Sequence, residues 1–324
     1  MKEALVLAAF LWIFGRLEAS NGDRSQIFNE CLAYCIQGLA QARAQKNQAE
    51  MCPASNSAFG WTQFPCFPCR YNCMWETVEL FESQAGFCPQ FFGKWPFAAF
   101  FGPFGLVIQE PASVIFSLAN LLEVWRMLRK LKSRQGILVE NREMWIGYTW
   151  IGILTWSSST IFHTWDCSLT EKMDYFSAFA FVLSLFHISL IYMLKIQNPR
   201  VKTLLSFGFV AFYFRHIYSM NIKMDYNYNM TLCLTISGLT TLVYLLYLVN
   251  RHRVSQRLSH SDFRLIYVLL WAAGAASLEI LDFAPIFWIF DSHSLFHLAT
   301  VPIPSLWWQF LVGRVDFAEK VNLA

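Results

Sequence analysis

From about residue 104 onward, long apolar stretches alternate with short polar ones. Seven stretches come near the ~20 residues that a helix needs to cross the hydrocarbon of a bilayer. They are 104–125, 144–163, 173–194, 203–220, 231–249, 265–283 and 292–311. The pattern predicts an all-α membrane protein with seven transmembrane helices over 101–313 and a short tail over 314–324. Upstream the texture differs. Residues 4–15 form an apolar run behind Lys2, too short to span comfortably, and Leu17-Glu18-Ala19 makes an acceptable cleavage site. This predicts a signal peptide over 1–20; the alternative is a retained short anchor. Residues 21–100 are rich in Gln, Asn, Pro and Gly and hold no long apolar run, which predicts a small exported ectodomain.

Composition supports the membrane reading. Of 324 residues, 56% are hydrophobic and only 15% charged, against about 25% charged in a soluble domain. The same figures exclude disorder. A net charge of +3 with no basic arm gives no reason to invoke nucleic acid.

Charge then orients the spans. The first, third and fifth loops carry 13 Lys and Arg residues, among them Arg126, Arg129, Lys130, Lys195, Arg200 and Arg251, whereas the second, fourth and sixth carry Lys172 and Lys223. The positive-inside rule puts the first set in the cytosol. The ectodomain is then lumenal, in agreement with the signal peptide, and the tail is cytosolic.

Seven of the nine cysteines lie between 31 and 88. In an exported segment with little core, that density reads as a disulfide scaffold; Cys66, Cys69 and Cys73 alone also fit a zinc knuckle. Seven is odd. Cys233 falls within a span, but Cys167 lies in the second, lumenal loop and makes the count even. Cys88 is the ectodomain cysteine nearest the membrane, so a Cys88–Cys167 bridge is expected. The alternative leaves Cys167 as a thiol and pairs Cys88 within the ectodomain.

Ionisable groups inside spans are costly and usually functional. Here they gather at one end. His163 closes the second span on the lumenal side, Asp174 opens the third, and His293 and His297 open the seventh. Ser159 lies one turn from His163, and His293 and His297 share a face by the same spacing. Three imidazoles at one depth match a catalytic zinc arrangement with an open position for water. Zinc lowers the pKa of such a water toward 7. Asp174 is then placed to accept the proton, and Ser159 to hydrogen-bond the oxyanion of an attacked carbonyl. Taken singly, any of these residues also reads as an ordinary interfacial side chain.

The order Ser159-x-x-x-His163, Asp174, His293-x-x-x-His297 resembles the CREST superfamily of seven-span membrane hydrolases. Within it the chain is most similar to the Per1-like, post-GPI-attachment to proteins factor branch. The stretches that carry this likeness are QFFGKWPF (90–97), QEPAS (109–113), STIFHTWDCSLTEKMDYF (159–176) and LEILDFAPIFWIFDSHSLFH (278–297). The cysteine-rich ectodomain also fits that branch and not the ceramidases. The resemblance implies a GPI-specific phospholipase A2 that removes the sn-2 acyl chain from the phosphatidylinositol of GPI-anchored proteins. It implies zinc on the three histidines, and residence in the Golgi membrane, or the ER membrane in fungal-type members. A ceramide amidase and a non-catalytic seven-span lipid receptor or chaperone are the competing readings.

Other polar residues rank lower. Glu110 matches an acidic position of the superfamily and reads as a group supporting the ligands. Glu279 and Asp282, at the lumenal end of the sixth span, are placed to accept the second N–H of a ligand histidine, or else to cap the helix. Arg215 and His216 read as snorkelling side chains and His187 as a packing hydrogen-bonder. Asn229-Met-Thr231 is a sequon too close to the membrane to be well used.

Overall fold

A computed structural model describes residues 21–44, 66–103 and 106–322. The expected signal peptide lies outside these residues. The chain divides into two units.

The first unit gathers the described residues up to Ala112 with 163–168 and 277–295. It opens with two helices, α1 (Gln26–Ala44) and α2 (Cys66–Ala85). Cys31 and Cys35 lie one turn apart on α1, and Cys69 and Cys73 one turn apart on α2, so each pair shares a face. The bridges Cys31–Cys73 and Cys35–Cys69, with Cα separations of 5.7 and 5.8 Å, join these faces in antiparallel order. Cys66 is also disulfide-bonded. Phe28, Cys73, Val78 and Phe91 form a small core, with Trp75 and Trp288 packed against it. So small a core needs such staples.

The expected Cys88–Cys167 bridge is not formed: Cys88 is a free thiol whose Sγ lies 3.7 Å from the Pro89 carbonyl oxygen. The parity argument assumed that every exported cysteine is oxidised. Partial burial, reinforced by Glu82, pushes the Cys88 thiol up to about 12, which suppresses the thiolate that disulfide exchange requires.

Between Phe91 and Lys94 the chain reverses in two residues, Phe92 and Gly93, at φ +52° and +80°, the signature of a type I′ turn. Strands β1 (Phe100–Phe101) and β2 (Val107–Ile108) then pair antiparallel, Phe100 opposite Ile108 and Phe101 opposite Val107. The first expected span, 104–125, is therefore corrected. Val107 and Ile108 within it are extended, and helix α3 runs Pro111–Leu131. An average of hydropathy over the whole stretch passes over Gln109 and Glu110 and does not see the change; Pro111, suited to the first helical position, sets it. Glu110 consequently precedes the helix.

The second unit comprises 113–162, 169–276 and the described residues from Phe296 on. The remaining helices are α4 (Arg134–Ile137), α5 (Arg142–Thr164), α6 (Ser168–Met193), α7 (Pro199–Ile222), α8 (Tyr226–Ser255), α9 (His260–Leu281), α10 (Ser292–Thr300) and α11 (Ile303–Asn322). Its core is aromatic, built on Trp145, Tyr148, Tyr244, Trp307 and Phe310. Large apolar side chains also face outward, among them Leu204, Phe207, Phe214, Leu246 and Leu270, the reverse of a water-soluble surface. Four stretches are long and apolar enough to cross a membrane: α6, α8, α9 and Ser292–Arg314. Helices α3, α5 and α7 stand where the other expected spans lie and are not among those four stretches.

The last expected span, 292–311, is broken into α10 and α11. Pro302 has no N–H to donate and its ring clashes with the preceding turn. The Val301 N–H turns to Leu298 O, and the carbonyl of His297 loses its helical partner. Helix α11 continues through most of the expected tail.

Candidate functional site

In the first unit, Gln109 and Glu110 donate backbone N–H bonds to the carbonyls of Thr164 (3.3 Å) and His163 (3.0 Å). They satisfy carbonyls that the end of α5 leaves open. This pairing sets the Glu110 side chain against His163, whose Nδ1 lies 2.5 Å from Glu110 Oε2. Both side chains are buried. Lys94, just past the turn, ion-pairs with Asp166 at 2.6 Å and Glu110 at 3.5 Å.

His293 is set by the start of α10. Asp291 caps that helix, accepting the Ser294 N–H at 2.8 Å. His293 Nδ1 lies 2.8 Å from Glu279 Oε2 near the end of α9. With both Nδ1 atoms engaged by carboxylates, the Nε2 atoms of His293 and His163 approach to 3.4 Å.

His297 sits one turn further along α10. Its Nδ1 lies 2.9 Å from Ser117 Oγ, and Ser117 Oγ lies 3.1 Å from Ser159 Oγ. All three side chains are buried. The carbonyl of His297, stranded by the break before Pro302, accepts from Asn120 Nδ2 at 2.7 Å and Thr300 Oγ1 at 2.8 Å. The interruption thus holds His297 by backbone as well as ring. His163, His293 and His297 each offer one ring nitrogen of the kind that ligates a metal ion.

A profile of the Per1-like family matches residues 53–315. The chain belongs to the Per1-like family. Similar proteins include the mouse (Mus musculus) "GPI-specific phospholipase A2-like PGAP3", 35% identical over 299 residues, which cover 92% of this chain and 90% of that protein. The human (Homo sapiens) protein of the same name is 32% identical, covering 90% and 88%. The Drosophila melanogaster "Post-GPI attachment to proteins factor 3" is 33% identical, covering 94% and 93%. No solved structure matches.

In this Per1-like chain Asp174 lies in the second turn of α6, its backbone carbonyl accepting from Ser177 Oγ at 3.0 Å. Asp282 is a correction. It was expected to support a ligand histidine, but it accepts from Trp95 Nε1 at 2.7 Å and from Gln90 Nε2 at 3.4 Å, whereas Glu279 meets His293. The two carboxylates are three residues apart at the end of α9, where the helix stops after Leu281 and Asp282 takes φ +37°. No helical periodicity reaches past that point. His216, expected to snorkel, is buried with Nε2 3.1 Å from Asn229 Oδ1. Ser117, Asn120 and Lys94 went unnoticed in the sequence. Ser117 and Asn120 are neutral residues inside an apolar helix, and their one signal is i, i+3 spacing on a common face. Lys94 carried a signal, its place within the family stretch 90–97.

Proposed function

We propose that this chain is a zinc-dependent GPI-specific phospholipase A2. It spans the membrane seven times and removes the sn-2 acyl chain from GPI-anchored proteins on the lumenal side of the Golgi membrane. The observation that carries the reading is the 3.4 Å approach of His163 Nε2 to His293 Nε2. Two nitrogens ~2.05 Å from one tetrahedral zinc stand about 3.3 Å apart. His297 is the candidate third ligand, and the names of the relatives support the substrate. The outward apolar side chains and the loop charges support the topology.

The chain's own groups divide the work. Glu110 and Glu279 accept the Nδ1–H of His163 and His293, which fixes the tautomers and aims both Nε2 lone pairs inward. Ser117 accepts the Nδ1–H of His297 and donates its own proton to Ser159. The Ser159 hydroxyl hydrogen is thereby left to bond the developing oxyanion. His163, His293 and His297 would hold the zinc, which would supply Lewis acidity to the attacking water. Asp174 takes the proton of the attacking water as the new C–O bond forms at the sn-2 carbonyl. When the acyl C–O bond breaks, Asp174 returns that proton to the departing glycerol oxygen. One water and one ester become a fatty acid and a lyso-GPI, so atoms and charge balance.

The test uses the purified full chain in detergent with a GPI-anchored reporter. Metal content is measured alongside released fatty acid. Wild type is expected to hold one zinc and release the sn-2 chain. His293→Ala loses the metal, and Asp174→Asn keeps it but falls ~10²-fold or more in rate. Full activity in His293→Ala, or zinc loss in Asp174→Asn, overturns the assignment.

A further inference from the structure

The first unit contains an open pocket whose wall includes Phe91 and Lys94, the residues on either side of the turn at Phe92–Gly93. Arg70, Tyr71, Lys94, Trp95, Gln109 and Asp166 line it, together with Glu110, the carboxylate that holds His163. One side of the pocket is therefore in direct contact with a histidine of the candidate metal group. The two cations on its wall differ. Lys94 is neutralised by Asp166 and Glu110. Arg70 meets the ring of Phe92, with its guanidinium carbon 4.2 Å from the centroid. Among the described residues, no carboxylate or carbonyl pairs with its five N–H donors. Burial disfavours its charge, and the fields of Asp166 and Asp23 work against that effect. Phe92 holds its place beneath Arg70 at φ +52°, a left-handed conformation unusual for a bulky residue. Such strain persists only where the surroundings over-determine it.

An unpaired guanidinium on a pocket wall is a binding group without its anion. A planar fork of N–H donors matches the oxygens of a phosphate in bidentate fashion. Tyr71 and Trp95 offer ring faces and edges for a sugar-like ring beside it. Gln109 and Asp166 supply acceptors near ring hydroxyls. We propose that this pocket binds the headgroup phosphodiester of a phosphoinositol lipid, Arg70 taking the phosphate and the aromatic wall taking the inositol ring. The proposal rests on the lipase reading for the identity of the lipid. The headgroup so held lies beside Glu110, and the glycerol esters attached to the same phosphate extend from there.

The experiment measures binding of glycerophosphoinositol, the soluble deacylated headgroup, to the purified full chain by calorimetry. Wild type binds it. Arg70→Gln is expected to bind at least ~10-fold more weakly, the scale of a charge-assisted bidentate contact. Arg70→Lys keeps the charge without the fork and falls between. Retention of the Cys31–Cys73 and Cys35–Cys69 bridges shows that each variant is folded. Undiminished binding by Arg70→Gln overturns the proposal, even where fatty-acid release is intact. Loss of binding in Arg70→Gln sustains it, even where the chain releases no fatty acid. Inorganic phosphate binding as tightly as glycerophosphoinositol makes the pocket a general anion site and also overturns the headgroup assignment.

Discussion

Replacing Glu110 by Gln removes one negative charge and leaves the shape almost unchanged. The carboxylate meets His163 Nδ1 at 2.5 Å and Lys94 at 3.5 Å, and the His163 side chain is only 2% exposed. Burial of both side chains keeps bulk solvent from replacing the lost charge there. A Gln side chain still accepts one N–H through its Oε1, so the histidine keeps its tautomer while losing the basicity that a carboxylate lends it. Changes of this kind cost about 10–100-fold in metal affinity, equivalent to about 1.4–2.7 kcal/mol. Retention of the acceptor places Glu110→Gln near the lower figure and Glu110→Ala near the upper. Glu279→Gln makes the same change at His293, where the contact is 2.8 Å and the side chain is 35% exposed. Solvent offsets part of that loss, so its effect is expected to be the smaller. The assay is chelator competition for zinc on the purified full chain, followed by fatty-acid release at limiting and at excess zinc. Activity of Glu110→Gln is expected to fall at limiting zinc and recover at excess. Wild-type zinc affinity in Glu110→Gln, or a larger loss in Glu279→Gln than in Glu110→Gln, refutes the reasoning.

Other outcomes follow from the same geometry. Ser117→Ala leaves His297 Nδ1 and Ser159 without their shared partner, and activity is expected to drop about tenfold or more. The Ser117→Ala/Ser159→Ala double variant should lose less than the product of the single losses, because the two hydroxyls act as one unit; multiplicative losses sink that chain of bonds. Peptide mapping without reduction should yield Cys31–Cys73 and Cys35–Cys69 links and an unlinked Cys88 peptide. With its thiol pushed up to about 12, Cys88 stays protonated at pH 8, and its alkylation is expected to run ~10²-fold or more below that of an ordinary exposed thiol. Rapid labelling at pH 8 contradicts the burial argument. Asn229 is buried and engaged by His216, so Asn229→Gln should leave gel mobility unchanged; a downward shift shows that the sequon is used.

Much of the architecture was legible because it depends on local pattern. Continuous apolar composition marks α6, α8 and α9 whatever their neighbours, since the bilayer requirement is one of length and hydropathy. The i, i+4 spacing of Ser159 with His163, and of His293 with His297, survives into the structure because helical periodicity is a property of the backbone. The i, i+4 spacing of Cys31 with Cys35 and of Cys69 with Cys73 was equally present, but pairing between the two helices needs their antiparallel order. Cysteine parity, by contrast, is a counting rule, and it fails when one thiol is buried.

Sequence alone thus determined the helical class, the positions of most helices, the disulfide-bonded character of the cysteine-rich segment and the i, i+4 spacing of the histidines. Only the tertiary structure decided which partner each of them meets. Glu110 reaches His163 because two backbone hydrogen bonds pin residues 109–110 to the end of α5. Glu279, and not Asp282, takes His293 because α9 ends between them and the chain turns at Asp282. Ser117 and Asn120 hold His297 because Pro302 breaks a helix that hydropathy reads as continuous. Periodicity reports which residues share one helix face, but a contact between elements depends on where each helix stops and how the chain turns there. Those stops are set by single prolines, caps and left-handed residues, whose effect no average over a window registers.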